Sequence, residues 1–285
     1  MLVDSHCHLD AAEFDGDRTA VASAATQAGV GLIVVPSVER ANFAAVASVC
    51  RDFPCCVAAY GIHPMCVEQA READLDTLRE TVLRERPLAI GEIGLDRFVE
   101  PRDDLRQEFY FGAQLKIARD SALPVLLHTR RAIDPVLKQL RLCRVSGGIA
   151  HAFNGSRQQA DEFIKLGFKL GFGGAMPFPR ASRIRELAAT LPLDAIVLET
   201  DAPDIPPEWI AGARNTPDQL PRIAQTLADL RGIAVQEVAE ATTANAAAVL
   251  PGLGCPRDGS PGMQSAGPGY TDGGLRPSGY RPFRT

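Results

Sequence analysis

The chain has 285 residues, 46% of them hydrophobic and 23% charged, with a formal net charge of −5. That balance fits a globular fold with a sizeable core and excludes the broad basic face that wraps a nucleic-acid duplex. Aromatic residues make up 6% of the chain, too few for binding dominated by base stacking.

Read in chain order for hydrophobic period and turn signals, the sequence alternates short apolar runs with amphipathic helical patterns. Strands are expected at 2–3, 31–36, 56–60, 88–91, 124–127, 148–150, 168–172 and 195–198. Helices are expected at 19–28, 40–51, 75–84, 105–121, 133–142, 156–166 and 181–190, with two more at 220–230 and 235–249. Strand followed by helix, repeated eight times over about 250 residues, predicts an α/β fold of the (β/α)8 TIM-barrel type. A doubly wound open sheet is the weaker reading, because the first strand runs into HCHLD instead of a glycine-rich phosphate turn. Residues 1–250 are therefore expected to form one barrel domain. Residues 251–285, rich in glycine and proline, are expected to be a disordered tail.

No apolar run approaches the ~20 residues of a membrane helix, and MLVDSHCHLD lacks the features of a signal peptide. A cytoplasmic location without membrane contact is expected, and no obligate protein partner is evident. The seven cysteines include no CxxC pair and read as reduced thiols.

The five histidines concentrate the chemistry. His6 and His8 are expected at the C-terminal end of the first strand, His63 of the third, His128 of the fifth and His151 of the sixth, so all fall at the barrel mouth, where such folds keep their active sites. The i, i+2 spacing of His6 and His8 turns both imidazoles to one side and Cys7 to the other. Glu92 after the fourth strand and Asp201 after the eighth are acids in apolar surroundings, which need metals, ion pairs or hydrogen bonds. Asp96 and Glu199 are weaker candidates, and Asp4 is expected to support a ligand imidazole. Six ligands exceed one tetrahedral ion and fit two divalent ions: His6, His8 and Asp201 on one, His128 and His151 on the other, with Glu92 between. The imidazoles favour zinc, manganese, cobalt or nickel over magnesium, which stays a candidate.

The motifs SHCHLD, GIHP, GEIGLD, LLHTRR, HAFNG and LETDAP, in this order, resemble the TatD family of metal-dependent hydrolases, within the amidohydrolase-like barrels. GFGGAMPFPRAS and ETDAPDIPP are similar to its YjjV-type branch. The resemblance covers residues 1–250. It implies a deoxyribonuclease cleaving DNA phosphodiester bonds, described for several members as 3′ to 5′, with the ligand set above, Asp201 as catalytic acid/base and His63 close to the substrate. Arg97 departs from the pattern, standing where many relatives carry an aromatic residue.

A phosphodiester calls for cations besides the metals, and guanidinium forks suit phosphate. Arg130 and Arg180 are the substrate-binding candidates, with Arg131 and Arg157 as further possibilities. A few rim arginines on an acidic barrel suit single-stranded DNA or strand ends. The alternatives are a metallohydrolase acting on an amide, lactone or aminoacyl ester, and a non-enzymatic scaffold.

Overall fold

The structure, a computed structural model, describes residues 1–253. The expected disorder of residues 251–285 lies outside them, apart from a turn over 251–253. Eight parallel strands run in chain order: β1 (Leu2–Asp4), β2 (Val30–Pro36), β3 (Cys56–Tyr60), β4 (Ala89–Asp96), β5 (Val125–Arg130), β6 (Gly148–Ala150), β7 (Phe168–Phe172) and β8 (Ile196–Leu198). Each pairs with the next, and the seam between β8 and β1 is bridged by Ser5 N–H donating to Leu198 O (3.0 Å) and Asp201 N–H donating to His6 O (2.8 Å). The sheet thus closes into the expected barrel.

Helices α1 (Arg18–Gln27), α2 (Phe43–Asp52), α3 (Glu72–Glu85), α4 (Asp104–Asp120), α5 (Ile133–Cys143), α6 (Arg157–Lys165), α7 (Ser182–Thr190) and α8 (Leu220–Arg231) follow the strands in turn. Their apolar faces cover the outside of the barrel, where Ile33, Tyr60, Ile90, Leu127 and Leu170 are buried with Phe111, Phe163 and Leu227. A second apolar cluster gathers Val3, Val34, Val57, Leu126, Ile149 and Val197 from different strands, which can meet only inside the barrel. Ala246 and Val249 of the last helix, α9 (Val235–Val249), and Leu250 beside it close that end. The interior is therefore filled by side chains on one side and left to polar groups at the other, where the histidines lie. Among the described residues, no helix is long and apolar enough to cross a membrane.

Two strands run further than the hydropathy pattern indicates. β4 continues through Glu92 to Asp96, and β5 through His128 to Arg130. Their polar residues end an apolar run without ending the strand, because both continue as a paired ladder to Asp96↔Arg130. That ladder has an irregularity between Ile90 and Ile93, the kind of bulge that re-aims a side chain, and Glu92 sits on it. Gly94 follows at φ 151°, and a Cβ there would stand 1.9 Å from His128 O, so β4 and β5 approach this closely only with glycine at that position.

Candidate metal centre

The structure brings His6, His8, His63, Glu92, His128, His151 and Asp201 into one buried cluster at the C-terminal mouth of the barrel. β1 stops at Asp4, so His6 and His8 lie just beyond the strand and not on it, yet their rings converge, with Nε2 atoms 3.3 Å apart. Cys7 between them is fully buried in the apolar layer. Asp4 does not support an imidazole: its carboxylate accepts from Thr200 N–H (2.9 Å), Thr200 Oγ1–H (2.5 Å) and the backbone N–H of His6 (3.3 Å). It fastens β1 to the segment after β8, and burial pushes its carboxyl up to about 7.

Glu92 stands at the centre of the cluster. Its Oε2 lies 3.1 Å from His6 Nε2 and 3.4 Å from His8 Nε2. Its Oε1 lies 3.0 Å from His128 Nδ1 and 2.9 Å from His151 Nε2. Asp201 Oδ1 reaches the first pair, 3.6 Å from His6 Nε2 and 3.8 Å from His8 Nε2.

Two acids rated as weaker in the sequence hold the outer sides of the imidazoles. Asp96 Oδ2 is 2.9 Å from His128 Nε2, and its Oδ1 accepts from Phe98 N–H and Val99 N–H. Glu199 Oε1 accepts from Ala152 N–H (2.5 Å) and lies 3.7 Å from His151 Nδ1. Such outer carboxylates fix ring orientation and raise ligand basicity. The signal in the sequence was two-residue spacing along the strands, which places Asp96 on the side of β4 that Glu92 shares.

His63 is held differently. It precedes a single turn of 3-10 helix (Pro64–Cys66), and its Nδ1 accepts the N–H of Met65 at 3.2 Å. In the neutral ring the proton then sits on Nε2, which faces Glu92 Oε1 at 3.5 Å. His63 thereby offers the site a donor.

Burial and mutual charge split the ionisable groups. Burial lowers His6 to about 3 and His63 to about 4. Burial also opposes charge on His8, but Glu92 and Asp201 outweigh it and hold that ring at about 9. Glu92 lies well below the usual carboxylate range, its desolvation overcome by the imidazoles of His6, His151 and His63. Burial pushes Asp201 up to about 7, against the pull of His151 and His8. Two carboxylates with opposite tendencies in one site suit one fixed charge and one proton carrier.

The cluster forms the floor of a cavity of about 650 Å³ whose walls carry Phe98, Arg130, Arg131, Asn154, Arg183, Ile184 and Ile205. Arg130 therefore lies on the cavity as expected. Arg180 does not: it lines an adjoining hollow that shares Asn154, Arg183 and Ile205. Arg157 points away from the mouth, pairing with Asp161 (3.0 Å) and Thr190 O (3.4 Å) on the outer surface. Arg183, in the first turn of α7, was missed by the sequence reading, since nothing local marks which turn of that helix meets the mouth. Arg97 turns outward to Glu108 (2.7 Å), and its neighbour Phe98 supplies the aromatic ring at the cavity.

The donor set fits divalent cations. Among the described residues, Glu92 and Asp201 form ion pairs with imidazoles and with no lysine or arginine. Facing ring nitrogens such as those of His6 and His8 call for a shared proton or a cation. Three sets of potential ligand atoms each lie within 4.8 Å of one another: His6, His8 and Asp201; His6, Glu92 and His151; His63, Glu92 and His128.

A parallel barrel with buried imidazoles and carboxylates at its mouth is the arrangement of a metal-dependent hydrolase built on a TIM barrel. Within that class the chain belongs to the family described as TatD related DNase, whose sequence signature matches residues 3–251. It is 42% identical over 250 residues to the uncharacterized metal-dependent hydrolase YjjV of Escherichia coli (strain K12), covering 86% of this chain and 95% of that one. It is 32% identical over 271 residues to the deoxyribonuclease TATDN3 of Homo sapiens, covering 88% and 95%. The crystal structure of the E. coli YjjV protein, a TatD homologue, superposes with a TM-score of 0.84 at 39% identity, over 87% of this chain and 97% of that one. An organophosphorus hydrolase mutant shares the fold at a TM-score of 0.63 and 15% identity, over 87% and 92%.

Proposed function

We propose that this metal-dependent hydrolase is a deoxyribonuclease that cleaves DNA phosphodiester bonds at a dinuclear centre, acting on single strands or strand ends. The observation that carries the reading is the division of Glu92: one oxygen faces His6 and His8, the other His128 and His151. Glu92 so placed would hold two divalent ions, one together with His6, His8 and Asp201 and the other together with His128 and His151. When bound, divalent ions supply Lewis acidity that polarises the phosphoryl group and makes water more acidic.

The chain's own groups do the rest. Asp201 takes the proton of the attacking water and delivers it to the leaving oxygen as the phosphorus–oxygen bond breaks. The Nε2–H of His63 donates to a phosphoryl oxygen. Arg130, on the cavity wall, meets the phosphate backbone of the substrate, and the acidic surface keeps the duplex from being gripped without specificity.

The test is incubation of the manganese- or zinc-loaded protein with end-labelled single-stranded DNA, beside a panel of carboxylic esters, lactones and amides. Nucleotide release that a chelator abolishes is the expected result. Turnover of esters or lactones with DNA left intact would replace this reading with the carboxyl-ester one.

A further inference from the structure

We propose that Phe98, Arg130 and Arg131 form an anion clamp at the cavity mouth that holds the phosphate next to the one being cleaved. The proposal rests on the phosphodiesterase reading and adds to it a substrate class: chains with a second phosphate one nucleotide from the scissile bond.

Phe98 lines the cavity and is 41% exposed at its mouth. The Arg130 guanidinium carbon lies 3.8 Å from the ring centroid and that of Arg131 4.5 Å from it. Two adjacent guanidinium groups repel one another, and the ring they share offsets part of that repulsion while holding both forks beside it. Arg131 takes a left-handed backbone conformation, φ 54°, which costs a non-glycine residue energy. Loop anchoring alone does not need the second guanidinium.

The position along β5 sets what the clamp can meet. Arg130 is two residues beyond His128, on the same side of the strand and about 7 Å nearer to solvent. A phosphate seated against the buried cluster therefore has its neighbour along the chain at the level of the guanidinium pair. Arg130 is also fixed from behind, its carbonyl accepting Arg97 N–H at 2.8 Å. Asp134, the carboxylate on this wall, accepts from Gln159 Nε2 at 2.8 Å.

The experiment compares two substrates on the metal-loaded full chain: thymidine 5′-p-nitrophenyl phosphate, with one phosphate, and a short oligothymidylate with several. Phe98→Ala is expected to lower kcat/KM for the oligonucleotide roughly five- to thirtyfold more than for the mononucleoside ester, the loss falling in KM. Phe98→Tyr, which keeps the π face, is expected to restore it. Arg131→Gln should show the same selective loss, smaller at high salt where the phosphate contact is screened. Equal effects of Phe98→Ala on both substrates, or none on either, with the wild type active, would overturn the clamp alone. A wild type inert toward both substrates would overturn the clamp and the phosphodiesterase reading together.

Discussion

Asp201 occupies a left-handed backbone conformation at φ 57°, two residues beyond Glu199 and bonded through its N–H to His6 O. That strained position aims a buried carboxylate at the two imidazoles after β1, and burial raises its proton affinity to about 7. An asparagine there has nearly the same size and still offers a carbonyl oxygen, but it cannot carry a proton. Asp201→Asn is therefore expected to lower kcat at least about 100-fold with little change in KM or metal content. Steady-state kinetics beside metal analysis of the same preparation checks it, and near-normal kcat with full metal would leave Asp201 only a ligand. The seven acids and imidazoles of the cluster were legible in the sequence because polar residues at strand ends in a βα pattern have few structural uses. The supporting roles of Asp96 and Glu199 were not, since a carboxylate's partner depends on cross-strand neighbours, here His128 and His151. Nor was the inward turn of Phe98, which follows from Arg97 being held outside by Glu108.

At the scale of elements, strand order and helix positions followed directly from hydropathy period, whereas strand ends did not. β4 and β5 outrun their apolar runs because ladder pairing, not hydrophobicity, carries them into the site. The loop after β8 is organised by one buried amide. Asn215 Nδ2 donates to Thr200 O (2.8 Å), Asp204 O (2.9 Å) and Ile205 O (3.2 Å), holding the backbone on both sides of Asp201. Removing it leaves buried carbonyls without a donor. Asn215→Ala is expected to cost about 3 kcal/mol in urea denaturation and to weaken metal binding as the Asp201 loop loosens. A loss below about 1 kcal/mol would show that water replaces the amide.

For the whole molecule, the two apolar clusters account for the architecture: one outside the strands under the helices, one inside the barrel beneath the polar mouth. The inner cluster is closed by α9 and Leu250, with Leu253 packed against it. The barrel is thus complete among the described residues, and a chain cut after Leu253 is expected to keep its Tm within about 2 °C and its kcat unchanged. Differential scanning calorimetry of the shortened protein decides this, a drop of more than about 5 °C meaning that the barrel depends on residues beyond 253.

The central claim is that Glu92 joins two ions that act together on a phosphodiester. The most direct test adds manganese or zinc in known equivalents to metal-free protein and follows nucleotide release from single-stranded DNA. The predicted rate climbs to a plateau at two equivalents per chain and is lost in Glu92→Ala at any loading. Full activity at one equivalent, or undiminished release by Glu92→Ala, would contradict it.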